Sequence, residues 1–342
     1  MTIIYFVIIL GIIILIHEFG HFIFAKKAGI YVYEFSIGMG PRIFKWNRKN
    51  DETEYSIRAF PIGGFVSMAG EEVEVDEKVP VEKRLQSKKW IQRFMVVIAG
   101  VMMNFILAFV LLLIFGIVTG PDTNEAIIGN IKEDSPFINY GIEENDKIIK
   151  INGKNTKSLD MFLLEYQVAL DGKEVKFTIL KPNGDTKEIT ALPTKVDDNY
   201  SFGFGIKSER EYGILSYIKY AFIRFFGLMN QMVHTILYLI LGKLSLKNLS
   251  GPIGIYSIVG EAAALGFINL VYLTALLSLN VGFINILPLP AFDGGRLFFM
   301  IIEKIIGKPV NQKVENTIHS VGMVLLLILM LVICFNDIIK LF

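Results

Sequence analysis

The chain has 342 residues, 53% of them hydrophobic, and a formal net charge of +1. Ordinary soluble domains are about 45–50% apolar and lack long uncharged runs, so the composition predicts an integral membrane protein with some soluble mass. The balanced charge gives no basis for nucleic acid binding. The one cysteine, Cys334, cannot form an internal disulfide. Lys26 and Lys27 follow the first apolar run rather than precede it, which argues against a cleaved secretory signal.

The first apolar segment, 2–24, contains His17-Glu18-Phe19-Gly20-His21. A helix would place the two histidines one turn apart on the same face. Two imidazoles so placed can bind one Zn²⁺, and Glu18 beside them can accept a proton from a bound water. A histidine on an apolar helix is more often a packing residue. Ionisable residues in a membrane span are usually functional, however, so the pattern favours a metal site.

Four segments are long and apolar enough to cross a bilayer, which requires about 20 residues. They are 2–24, 94–118, 267–291 and 321–335. Basic residues follow the first segment and precede the second. Because basic residues near membrane ends favour the cytoplasmic side, the intervening region 25–93 is predicted to be cytoplasmic. The segment 122–206 has 10 Lys against 15 Asp and Glu, a net of −5, and is predicted to lie on the opposite side.

Two glycine-containing segments, 35–45 and 54–68, look like short strands within the region 31–70. Sheet backbone at membrane depth survives only where it is buried in protein or lines a wet cavity. The edge of such a sheet would suit an extended peptide added as an extra strand. A plain cytoplasmic hairpin is an equally good interpretation of these residues.

The segment 122–206 is predicted to form short strands, turns and one helix. Apolar positions alternate between turn signals in 135–154. Together with Gly203-Phe204-Gly205-Ile206, this pattern resembles a PDZ domain of the bacterial, circularly permuted kind. Such domains often capture C-termini, and a role as a spacer or steric filter fits equally well.

The apolar stretch 214–241 is ambiguous because it contains three basic residues. A zinc site needs a third protein ligand. If only 267–291 crosses after the insert, Asp293 returns to the level of the two histidines. If 214–241 also crossed, Asp293 would lie on the far side. The sequence therefore predicts that 214–241 is an interfacial or partly embedded helix.

The block from Asn285 to Gly295 contains two prolines and two glycines around Asp293. A helix broken at this point could turn the carboxylate of Asp293 toward a metal. A loop that ends the helix, with Asp293 as the N-cap of the next one, is the structural alternative.

Together these motifs resemble the site-2 protease family of intramembrane zinc metalloproteases, in its bacterial regulator-of-sigma-E-protease subgroup. The resemblance covers nearly the whole chain, including Gly251-Pro252-Ile253-Gly254. It implies that Zn²⁺ is held by His17, His21 and Asp293, with Glu18 as the general base. The residues predicted to bind substrate are Asn285, Gly38, Gly40, Gly63, Gly64 and Asn104. The chain departs from the family at Phe292, where Leu is usual, and at Val101, where Pro is frequent.

The expected fold is a polytopic α-helical membrane protein with four transmembrane helices, a membrane-associated β-hairpin and one inserted, circularly permuted PDZ domain of α+β type. Residues 1–121 and 207–342 would form the two halves of the membrane core, with the PDZ domain at 122–206. The resemblance implies a location in the bacterial cell membrane, with the PDZ domain outside and the active site toward the cytoplasm.

The implied activity is cleavage of transmembrane segments of single-pass proteins within the lipid bilayer. The expected partners are anti-sigma factors already trimmed by another protease, or remnant signal peptides, and no nucleic acid. Two alternatives are an inactive PDZ scaffold and a metal transporter. Intact Glu18 argues against the first. A transporter would carry polar residues along several spans rather than at one end.

Overall fold

The computed structural model describes residues 1–71, 79–196, 199–245 and 249–339, so the predicted ranges that include 72–78, 197–198, 246–248 and 340–342 lie partly outside it. The helices are α1 Thr2–Lys27, α2 Trp90–Thr119, α3 Leu159–Ala169, α4 Ile214–Ile240, α5 Pro252–Ala264, α6 Phe267–Ile286, α7 Asp293–Ile306 and α8 Gln312–Ile339. The strands are β1 Val32–Asn47, β2 Glu54–Met68, β3 Ile127–Ile131, β4 Lys147–Ile151, β5 Lys154–Asn155, β6 Val175–Leu180, β7 Thr186–Ala191, β8 Thr194–Val196, β9 Asn199–Ser201 and β10 Phe204–Lys207.

The chain divides into two compact units. Met1–Leu111 and Leu249–Phe342 form the first, which we call the core unit, and Leu112–Asn248 forms the second, the insert unit. The predicted insert was shorter, at 122–206. The structure adds the end of α2 and the whole of α4 to it, because α4 packs along α3.

Four of the described helices are long and apolar enough to cross a membrane, namely α1, α2, α6 and the part of α8 from Lys313 onward. Each contains one predicted span. The third span was predicted to reach residue 291, but α6 ends at Ile286 because Pro288 and Pro290 cannot continue a helix. The fourth was predicted as 321–335, and α8 is longer at both ends.

Helix α5 was not predicted, and a helix at α7 was predicted only in the alternative that made Asp293 an N-cap. Helix α5 explains the Gly-Pro-Ile-Gly motif. Pro252 occupies the first turn of α5, where its missing N–H costs nothing. The carboxylate of Asp337, in α8, accepts hydrogen bonds from the backbone N–H groups of Gly251 (2.9 Å) and Gly254 (2.8 Å). A Cβ on Gly254 would lie 3.2 Å from this carboxylate. The motif therefore joins the start of α5 to α8.

The strands β1 and β2 form a long hairpin, and each strand bends in its middle. The two halves of each strand lie side by side, so the sheet has four rows of backbone. Residues 32–37 pair with 64–68 on one side and with 54–57 on the other, and 44–47 pair with 54–57. The bend in β1 occurs at Gly38 (φ +87°), where a Cβ would lie 2.6 Å from the carbonyl oxygen of Phe60. The row 64–68 is therefore an edge among the described strands.

The insert unit has an antiparallel sheet in the order β10-β3-β4-β6-β7, with β5 paired to β4. Its buried core is rich in phenylalanine, including Phe137 and Phe177. The N-terminus of α3 is capped by the hydroxyl of Ser158. Arg224 of α4 is buried and pairs with Asp160 at 2.7 Å. This arginine was expected to favour the membrane surface, and the structure places it inside the insert unit instead.

We expect Asp337→Ala to lower the free energy of unfolding by about 1–3 kcal/mol, because one buried and one part-buried N–H group lose a charged acceptor. Asp337→Asn, which keeps one oxygen acceptor, should lose less. Thermal unfolding in detergent, followed by size-exclusion chromatography, measures both. Equal melting temperatures for the Ala variant and the wild type would contradict the anchoring role.

Candidate metal centre

Three side chains converge at the C-terminal half of α1 and the start of α7. The Nε2 atoms of His17 and His21 lie 3.2 Å apart, and Asp293 Oδ2 lies 3.0 Å from the first and 3.3 Å from the second. All candidate ligand atoms of the three residues lie within 4.8 Å of one another. Asp293 is 272 residues from His21 in sequence, yet both histidines are buried beside its carboxylate.

The arrangement fits a zinc ion. Ligands about 2.0–2.1 Å from a tetrahedral zinc lie roughly 3.3 Å from one another, close to the three separations in this site. Asp293 Oδ2 is buried and makes no hydrogen bond among the described residues, so its lone pairs are available. Three protein ligands leave the fourth tetrahedral position for water or substrate, as in catalytic zinc sites.

Helix α2 holds the outer edges of both imidazole rings. His21 Nδ1 lies 2.8 Å from the backbone carbonyl oxygen of Val96, to which it can donate. His17 Nδ1 lies 3.3 Å from the side-chain amide of Asn104. Ser278, in α6, donates to the backbone carbonyl of Asn104 at 2.9 Å. Neighbours that fix the second ring nitrogen are typical of metal-binding histidines.

Two glycines allow α1 and α2 to approach closely at this point. A Cβ on Gly100 would lie 2.4 Å from His21 Nε2 and 2.9 Å from His17 Cε1. A Cβ on Gly20 would lie 2.4 Å from the carbonyl oxygen of Ala99. Gly100 was not predicted as a site residue. Its position in the Ala99–Asn104 block of the second span, four residues before Asn104, was the sequence feature that could have indicated it.

Asp293 is the first residue of α7, and its N-cap is Phe292. The prediction that Asp293 follows a helix break agrees with the structure, but the N-cap alternative is one residue off. The two glycines that follow are required by packing. A Cβ on Gly294 would lie 2.1 Å from the carbonyl oxygen of Leu287, and a Cβ on Gly295 would lie 2.5 Å from that of Leu289. The turn is therefore folded tightly against the start of α7.

Glu18 joins the metal centre to the sheet edge. Its Oε2 accepts a hydrogen bond from the backbone N–H of Val66, in the edge row 64–68, at 3.2 Å. A cavity of about 1320 Å³ contains Glu18, the three candidate ligands and residues 65–68 in its lining. The cavity is large enough for several residues of an extended peptide.

The residues predicted to bind substrate fall into two groups. Asn285 lines the cavity, with its amide donating to Val281 O in its own helix at 3.0 Å. The other five are not among the described residues that line it. Gly38, Gly40 and Gly63 have positive φ at the bends of the hairpin, and a Cβ on Gly64 would lie 2.4 Å from the carbonyl oxygen of Ser36. Asn104 lies behind His17. Their contact with substrate stays a prediction.

Charged residues that were not predicted from the sequence also line the cavity. Arg296 Nη1 lies 2.5 Å from Glu71 Oε1, and Arg93 pairs with Glu303. The first pair connects the chain just after the edge row to the helix that begins with Asp293. These two ion pairs make part of the cavity lining polar.

The profile of "Peptidase family M50" matches residues 5–329. The chain belongs to this family. This match confirms the resemblance to site-2 proteases that the motifs indicated. The cofactor of the protein is zinc.

Relatives match the chain over its whole length. A protein of Fusobacterium nucleatum whose name includes the words zinc metalloprotease is 38% identical, covering 100% of both chains. Zinc metalloprotease RasP of Bacillus licheniformis is 33% identical, and regulator of sigma-W protease RasP of Bacillus subtilis is 32% identical; each alignment covers 100% of this chain and 99% of the relative.

We expect Gly100→Ala to weaken zinc binding by at least tenfold, because a methyl group would have to occupy space now filled by both imidazoles. Gly260→Ala is a matched control, since its Cβ would meet only ordinary contacts of 3.4 Å or more with Thr2. Zinc affinity is measured by competition with a chelator. Equal affinities for the two variants would show that α2 can move away from the histidines at little cost.

Proposed function

We propose that this protein is an intramembrane zinc metalloprotease that cleaves transmembrane segments of single-pass membrane proteins. The observation that carries the proposal is the convergence of His17, His21 and Asp293 beside Glu18, whose carboxylate meets a sheet edge. His17, His21 and Asp293 would be the zinc ligands, and Glu18 the general base. Four apolar helices around these residues support cleavage within the membrane.

Zinc in this site supplies a Lewis acid that polarises a peptide carbonyl and lowers the pKa of water to about 7. Glu18 then accepts a proton from the attacking water at a carboxylate oxygen. It returns that proton to the leaving nitrogen of the cleaved peptide bond. His21 keeps its ring oriented by donating from Nδ1 to Val96 O.

Asn104 would fix the proton on His17. A histidine that uses Nε2 as a ligand carries its proton on Nδ1, which needs an acceptor. Among the residues that the structure describes, the side-chain oxygen of Asn104 is buried without a hydrogen bond partner, while its nitrogen faces His17 Nδ1. A half-turn of the amide directs the oxygen to Nδ1 and gives His17 the tautomer that zinc requires.

The edge row 64–68 would bind the substrate as an added strand. A transmembrane helix satisfies its own backbone groups, so a segment unwound for cleavage must find new partners. Val66 N–H now donates to Glu18. A substrate carbonyl that took over this N–H would free the carboxylate of Glu18 at the moment when a peptide bond lies beside it.

The Bacillus subtilis relative named regulator of sigma-W protease supports membrane-bound anti-sigma factors as a substrate class. Remnant signal peptides are the second class implied by the resemblance. Both would have been trimmed beforehand by another protease. The bacterial cell membrane would be the location, with the metal centre toward the cytoplasmic side.

Residues 122–206 of the insert unit would form a circularly permuted PDZ domain that limits access by the size of the outer part of a substrate. Its antiparallel sheet, its helix α3 and the positive φ of Gly203 (+66°) before β10 support this assignment. One side of α4 would rest on the membrane surface. Exposed apolar residues recur along α4 at intervals of three or four, apart from one longer gap, at Leu215, Ile218, Phe222, Phe226, Val233, Leu237 and Ile240.

We expect Glu18→Gln to retain zinc and to lower cleavage of a transmembrane substrate by several orders of magnitude, because the ligands remain and the proton acceptor is lost. Zinc content and cleavage are measured on the same purified protein. Glu188→Gln, an exposed position on β7 outside the cavity lining, serves as the control. Near-normal cleavage by Glu18→Gln would exclude Glu18 as the base.

Membrane sidedness gives a second test, in protein whose Cys334 has been replaced. A cysteine at Lys45 should react with an impermeant reagent from the cytoplasm, and one at Lys157 from outside. A cysteine at Lys243, just after α4, should behave like the one at Lys157 if α4 lies on the surface. Reaction of position 243 from the cytoplasm alone would mean that α4 spans, and Asp293 could not then share a metal with the histidines.

A further inference from the structure

The turn that precedes Asp293 contains a strained residue. Ala291 has φ +72°, in the left-handed region that residues with a Cβ rarely adopt. Such a conformation persists only where neighbouring contacts hold it. Ala291 lies two residues before Asp293, so whatever holds it also determines where the carboxylate points.

One side of α8 supplies the contacts. The backbone N–H of Ala291 donates to Nδ1 of His319 at 2.9 Å. One turn later, the α-carbon of Gly322 approaches the same turn so closely that a Cβ would lie 2.1 Å from Pro290 Cβ. A Cβ on Gly295 would lie 3.0 Å from His319 Cε1. The ring therefore fits between the turn and the first residues of α7.

We infer that His319 is a positioning residue, which holds the turn 289–292 in its strained form and so aims Asp293 at the zinc ion. The inference rests on the proposed assignment of Asp293 as a ligand. His319 would act on the turn through its Nδ1, which accepts the hydrogen bond from Ala291 N–H. Its Nε2 is buried without a hydrogen bond partner among the described residues, so the bond from Ala291 is the polar contact of this ring to be tested, beside its packing on Phe299 at a centroid distance of 5.9 Å.

Two amide substitutions separate positioning from simple packing. The Oδ1 of asparagine can take the place of Nδ1, whereas the Oε1 of glutamine reaches about as far as Nε2. We expect His319→Asn to bind zinc within a few-fold of wild type. His319→Gln and His319→Leu should weaken zinc binding by about 10–100-fold, the usual effect of losing a group that orients a metal ligand. His234→Leu, in the insert unit, is the control.

The measurements are made on the full chain in detergent. Chelator competition gives zinc affinity, and the visible spectrum of the cobalt-substituted protein reports the geometry of the ligands. The spectrum should change in the Gln and Leu variants and not in the Asn variant. Wild-type affinity and spectrum in His319→Leu, or an equal loss in His319→Asn and His319→Leu, would overturn the inference.

A double variant guards against general loss of folding. Glycine adopts positive φ without strain, so Ala291→Gly should need less support from His319. The double variant, with His319→Leu and Ala291→Gly, should bind zinc at least threefold more tightly than the single variant His319→Leu. No recovery would overturn the inference, because a merely misfolded or loosely packed α8 would not be repaired at position 291.

Asp293→Ala distinguishes this inference from the proposed function. If this variant loses zinc while His319→Leu does not, only the positioning role fails. If Asp293→Ala binds zinc with unchanged affinity, Asp293 is not a ligand and the proposed site itself fails.

Discussion

The close contact between α1 and α2 is the constraint on which the metal centre depends. Two histidines one turn apart are held as a pair of ligands when polar groups orient their outer ring nitrogens, and here those groups come from the neighbouring helix α2, as a backbone carbonyl for His21 and a side-chain amide for His17. The carbonyl of Val96 can serve only because Gly100 has no side chain between the helices. One missing Cβ thus permits a hydrogen bond that water would supply in a soluble enzyme.

Asp293 reaches the same point by a different route. Its position depends on where α6 ends, on the tight fold of the turn and on the start of α7. The prolines stop the helix, and the glycines at 294 and 295 let the chain fold back on itself. Because the helix terminus carries partial positive charge, a carboxylate in the first turn of α7 is also favoured electrostatically. The ligand is therefore set by the turn as much as by the residue type.

Features that depend on regular spacing along the chain, or on the fixed backbone geometry of proline, were predictable from the sequence. The i, i+4 spacing of His17 and His21, the apolar spans and the helix break at the prolines all follow from local rules, as does the strand content around 54–68. Gly100, Asp337 and His319 were not predictable, because their roles appear only when segments distant in sequence are packed together. Arg224 shows the same limit: its stretch was predicted to be an interfacial helix, but Asp160, 64 residues earlier, is its ion-pair partner.

The hydrogen bond between Val66 and Glu18 connects the sheet to the chemistry. An edge row in an apolar environment leaves backbone groups that need partners, and this cost is high without water. Glu18 satisfies one of them, and a peptide strand could satisfy it equally well. The carboxylate that would accept a proton and the N–H that would hold a substrate are thus partners of each other. Their hydrogen bond keeps both groups paired until a peptide strand arrives, and a substrate carbonyl that takes over the N–H would release the carboxylate beside the peptide bond to be cleaved.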